Sequence, residues 1–176
     1  MEHAAKLARE VGFTYSTVLD VKTIQVMPEV RQMCASDRCH AYNKSWSCPP
    51  ACGTLEECSA QLQAYSEGIL VQTVGQLEDS FDFETMVETE AEHKKNFSVL
   101  HRALKETYPN LLAIGVGCCT LCRPCTYPKE PCRFPNEMTK SMEAYGMLVS
   151  KVCKDNGLEY NYGPNTVAYT SCFLLR

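Results

Sequence analysis

A mixed α/β fold, with about four strands alternating with three helices and two cysteine-rich metal-binding loops, is what this sequence predicts. The chain has 176 residues, 45% of them hydrophobic, which is enough to bury one sizeable core. Residues 1–176 therefore read as a single domain. Short apolar runs of strand type alternate with longer stretches of helical period. Nine of the twelve cysteines fall in two turn-rich stretches between those elements.

Val18 to Val26 predicts the first strand, with Val18, Ile24 and Val26 on one alternation and Leu19 and Val21 on the other. Thr54-Leu55-Glu56-Glu57 is a capping box that opens a helix carrying Leu55, Cys58, Leu62 and Tyr65 on one face, with Gly68 as its stop. Ile69 to Val74 predicts a buried strand. A long helix follows over about Phe83 to Tyr108, striped by Phe97, Leu100 and Leu104. Leu111 to Val116 is the next strand. Asn136 caps an expected third helix with the stripe Met138, Met142, Tyr145, Val149 and Val152, ending at Gly157. Val167 to Leu175 is the last strand.

The chemistry lies in the two loops. The second reads Cys119, Cys122, Cys125, Cys132, a C-x2-C-x2-C cadence followed by a fourth thiol and Pro135. Three thiols this close are badly placed to pair with one another but well placed to converge on a soft metal, and the cadence matches the ferredoxin run that holds four-iron clusters. The first loop reads Cys34, Cys39, Cys48, a wider C-x4-C-x8-C spacing with no tight knuckle. Zinc normally takes two short knuckles with a longer spacer, a pattern neither loop follows closely. The first loop needs a fourth donor. Cys52 and Cys118 are the nearest candidates, Cys132 crossing over is another, and an iron left open for water or substrate is the last. Each loop is expected just ahead of a helix start, where unpaired N–H groups favour an anionic cluster. Tyr42, Trp46 and Tyr127 are placed to shield it from water.

Other chemistry-bearing residues read as structural. Cys58, Cys153 and Cys172 fit apolar stripes or strands, and His93 sits at helical spacing from Phe97 and Leu100. His40, beside Cys39, reads as a solvated loop histidine, and Glu84, Glu88, Glu90 and Glu92 as an exposed helix face. The net charge of −4 without a dense basic run argues against nucleic acid. No stretch is long and apolar enough for a membrane span and no secretory leader begins the chain, so a cytoplasmic location is expected. Reducing cytosol favours metal over disulfides for these thiols. A phosphate-cradling glycine loop, a C-x3-C-x2-C run and a marked nucleophile are all lacking.

Together, Arg31 with Cys34 and Cys39, Trp46-x-Cys48-Pro49-Pro50, Gly117-x-Cys119-Thr120-Leu121-Cys122-x-x-Cys125, Cys132 with Pro135, and Ser141 to Gly146 resemble a family of small "predicted metal-binding proteins" of anaerobic bacteria and archaea. The resemblance implies metal or cluster binding at Cys34, Cys39, Cys48, Cys119, Cys122, Cys125 and Cys132, and carries no reaction with it. The expectation is two 4Fe-4S clusters serving electron transfer with a redox partner protein. One alternative is an enzyme using an open iron as Lewis acid on a small-molecule substrate, with Arg31, Arg38, His40 or Tyr42 nearby. The other is a zinc-stabilised binding module.

Overall fold

A four-stranded sheet with helices on both faces organises the computed structural model, which describes residues 1–176. The strands are β1 (Tyr15–Asp20), β2 (Glu67–Gln76), β3 (Leu112–Ile114) and β4 (Thr166–Leu175). They run in the order β1-β2-β4-β3, antiparallel throughout. The α-helices are α1 (Glu2–Val11), α2 (Pro28–Met33), α3 (Leu55–Gln63), α4 (Phe83–Thr107) and α5 (Val149–Asp155). No helix is long and apolar enough to cross a membrane.

The central strands are covered on both sides, which explains their unbroken apolar runs. Ile69, Val71, Phe173 and Leu175 pack with Ala4, Ala5 and Ala8 of α1 and Phe97, Leu100 and Leu104 of α4. Leu70, Cys172 and Leu174 point the other way, toward Cys58 and Leu62 of α3, Val152 and Cys153 of α5, and Met142 and Tyr145. Cys58, Cys153 and Cys172 are fully buried, so they fill the core. His93 is fully buried as well, its ring nitrogens bonded to Thr73 Oγ1 (3.0 Å) and Ser171 Oγ (2.7 Å).

The capping box holds as expected: Thr54 Oγ1 accepts from Glu57 N, and Glu57 Oε2 accepts from Thr54 N. The long helix begins at Phe83, capped by Asp82. Several expectations need correction. β1 ends at Asp20, because that carboxylate accepts from Lys22 N (3.0 Å) and caps a 3-10 turn over Val21–Thr23. The residues from there to Val26 leave the sheet. Gly68 does not stop α3, which ends at Gln63 with Ala64 as C-cap. It lies inside β2, where a Cβ would run into the Phe173 carbonyl. Two helices, α1 and α2, were not expected from the sequence.

The largest departure is the third helix, which does not start at Asn136. Only Val149–Asp155 is α-helical, preceded by a 3-10 turn over Glu143–Tyr145. Two features break the run. Gly115 N donates to Lys140 O (2.9 Å) and Met142 N to Gly115 O (3.3 Å), so residues 140–142 are held alongside the end of β3. Gly146 then turns in the left-handed region (φ 74) against Met27, where a side chain would not fit. The pairing pinches shut the base of the second cysteine loop. That loop therefore does not precede a helix N-terminus, and the dipole argument fails for it.

Candidate metal centres

All twelve cysteines are unpaired thiols. The second cysteine loop wraps its thiols around a small pocket. Cys119, Cys122, Cys125 and Cys132 all line it, with Trp46, Leu121, Phe134 and Met138 as apolar cover and Ser45 at its edge. The seven-residue span from Cys119 to Cys125 supplies three walls, and the chain turns back through Thr126 to bring Cys132 to the fourth. Thr126 Oγ1 donates to Pro131 O (2.9 Å) and Glu130 N to Thr126 O (3.1 Å), closing that return. Burial raises Cys119, with an opposing hydrogen bond from Leu121 N–H. Burial also acts to raise Cys125, but N–H donors from Tyr127 and Trp46 outweigh it and lower that thiol.

The first loop lines a larger cavity of about 720 Å³. Cys34, Cys39 and Cys48 face it together with Cys118 from the other loop, and Arg38, Tyr42, Glu90, Tyr160 and Tyr169 complete its walls. Cys39 is exposed, Cys34 and Cys118 are half-buried and Cys48 is buried. Cys48 and Cys118 are near enough for linked ionisation: contact with Cys48 lowers Cys118, and contact with Cys118 raises Cys48. Cys34 is raised, first by burial and then by Glu143.

Cys52 lines neither thiol pocket. It is buried, and the Arg31 guanidinium donates to its Sγ (2.9 Å) and to the Gly53 carbonyl. His40 is exposed, at φ 56, and does not line the cavity. Glu84, Glu88 and Glu92 are exposed as expected, but Glu90 is half-buried, paired to Lys94 (2.7 Å).

Two positions that hold the loops together, Asp37 and Ser47, had no signal of their own in the sequence, and Trp46 and Tyr127, expected as shields, join them. Asp37 ties the first loop: its carboxylate accepts from Tyr42 N (2.9 Å) and pairs with Lys44 (3.0 Å), and that lysine with the Tyr42 amide holds it below the usual carboxylate range. Ser47 Oγ accepts from Cys119 N (3.1 Å), lies 3.0 Å from Ser45 Oγ, and is 3.7 Å from both Cys48 Sγ and Cys118 Sγ. Trp46 Nε1 donates to Glu130 O (3.0 Å), its ring meets Tyr127 edge-on at 4.9 Å, and the Tyr127 hydroxyl donates to Asn43 Oδ1 (2.6 Å). The two loops are thus sewn into one body. No three Cys, His, Asp or Glu side chains are arranged to hold a single metal ion.

Residues 17–175 match the family described as "Predicted metal-binding protein (DUF2284)". Searches of the curated proteins and of the solved structures return no match.

Proposed function

Because the chain belongs to this family of predicted metal-binding proteins, we propose that it holds two four-iron clusters and passes single electrons between them and a protein partner. Cys119, Cys122, Cys125 and Cys132 would hold one; Cys34, Cys39, Cys48 and Cys118 would hold the other. A four-iron cluster ligated by four thiolates supplies reversible one-electron transfer.

The observation that carries this reading is the split of Cys118 and Cys119. Adjacent in the chain, they line two different cavities, each with three other cysteines. Two groups held by neighbouring residues are joined through one peptide unit, about 3.8 Å between Cα atoms, a short route for an electron. The donor set fits an iron–sulfur group in other respects. At Cys125 the neighbouring Tyr127 and Trp46 N–H groups favour thiolate against the cost of burial. Leu121, Trp46, Phe134 and Met138 limit water at the second pocket.

A second reading, catalysis at the first cavity, has one observation in its favour. That cavity is far roomier than the second pocket, and its Cys39 is exposed. Both readings are tested on protein purified without oxygen and reduced with dithionite. Electron carriage predicts two paramagnetic centres whose spectra broaden through mutual interaction and do not respond to added small thiols or anions. A spectrum that shifts on such addition favours catalysis, and a single isolated centre contradicts the two-cluster assignment.

A further inference from the structure

We infer that the groove between the C-terminal half of α4 and the second cysteine loop is the docking surface for an acidic electron-transfer protein. The inference rests on the electron-carrier reading above and names the partner it requires.

Charge in this chain is segregated. Residues 94–140 carry eight Lys and Arg against three Glu, a balance of +5, which leaves −9 for the rest of a chain whose net charge is −4. α4 itself changes sign along its length. Glu84, Glu88, Glu90 and Glu92 come first, and Lys94, Lys95, Arg102 and Lys105 follow, with Glu106 the one acid among them. All four of those cations line one groove of about 740 Å³, with Glu137 its one acidic residue.

Most of that positive charge is uncompensated. Lys94 is bonded to Glu90 and reaches the Cys118 carbonyl (3.4 Å). Lys95, Arg102 and Lys105 are exposed and belong to none of the ion pairs. A row of free cations on an acidic molecule orients an acidic partner and speeds its encounter, the pattern of transient charge-steered complexes. The position of the groove matters as much as its sign. Cys119 and Leu121 line both it and the four-thiol pocket. Leu121 is 47% exposed, giving a partner an apolar contact against the wall of the proposed cluster site. A protein seated on Lys95, Arg102 and Lys105 would sit one side chain away from the electron it exchanges.

The test uses the full chain purified without oxygen, with an acidic flavodoxin as probe. Binding is read by fluorescence anisotropy of the labelled flavodoxin. Reduction of the chain by that flavodoxin, reduced beforehand to its hydroquinone and giving up one electron as semiquinone forms, is read separately in stopped flow. Between low and high salt, where the screening length falls from ~30 Å at 0.01 M to ~3 Å at 1 M, affinity should drop at least about 10-fold. The triple change K95E/R102E/K105E should weaken binding and slow reduction about 10-fold at low salt, and K95A/R102A/K105A should do so by less. Reduction by dithionite should be equal in all three proteins. Binding indifferent to both triple variants, equal binding of an uncharged carrier protein, or salt-sensitive self-association through the groove would overturn the inference. Charge-dependent binding by a chain that carries no iron would sink the cluster reading and leave the docking surface standing. A chain that dithionite reduces but whose flavodoxin reaction ignores the substitutions would do the reverse.

Discussion

Cys118 and Cys119 show how much one residue decides. A one-position shift moves a thiol from the first cavity to the second, a division that sequence left open by offering Cys118 as one of several fourth donors to the first loop. The partition of the other thiols is equally sharp and equally testable. Cys122→Ser should remove about one cluster's worth of iron and loosen its loop, since metal binding couples to folding. Cys58→Ala, in the fully buried face of α3, should leave iron content unchanged and cost on the order of 1 kcal/mol of packing. Metal analysis and urea unfolding of the two variants check both. His93 sets a pH dependence. Burial holds its pKa down at about 3, against 6.5 for the free side chain. The unfolded chain therefore takes up a proton that the native one refuses. That share of stability is complete above pH 6.5 and is lost as pH falls toward 3, by up to ~1.4 kcal/mol per pH unit. In urea unfolding between pH 7 and 5, His93→Gln should lower stability at pH 7 and flatten this slope. An unaltered slope would place the titration elsewhere.

At the scale of elements, the sites depend on loops that hold each other. Ser47 carries the Cys119 amide. Ser47→Ala would leave that N–H without its partner, costing about 1–3 kcal/mol and speeding iron loss from the second pocket, as followed by chelator challenge. Gly68→Ala, far from either loop, should destabilise by about 1–3 kcal/mol or more through overpacking against β4, with iron retained in the folded fraction. What sequence revealed follows physical lines. α4 was legible because the stripe Phe97, Leu100 and Leu104 keeps helical period along one buried face. α3 was legible at its start because a capping box is local chemistry. α1, though not expected, was legible in principle: Ala4, Ala5 and Ala8 recur on its buried face opposite exposed Lys6, Arg9 and Glu10, and Gly12 closes it in the left-handed region. The false helix from Asn136 came from a real stripe: Met142, Tyr145, Val149 and Val152 are all buried together. Their burial is arranged by the Gly115 pairing and the Gly146 turn, contacts that no local period encodes. Among the thiols, the second set was legible from its cadence, while the grouping of Cys118 with the first loop depends on contacts across about seventy residues.

The whole molecule places two thiol-lined cavities on loops leaving α2 and β3, with a basic groove that borders both, sharing Cys119 with one and Cys118 with the other. The sheet and its two core layers contain no part of either thiol set, so the scaffold should keep its fold class when one cavity is emptied. In Cys122→Ser the far-ultraviolet circular dichroism should remain near that of the parent while colour halves; collapse of both together would mean that the loops carry the fold. The central claim is that eight cysteines gather inorganic iron and sulfide. Protein purified without oxygen should be brown and contain about eight iron and eight acid-labile sulfide per chain, the content of two four-iron clusters. A colourless chain with stoichiometric zinc and no labile sulfide would contradict the account.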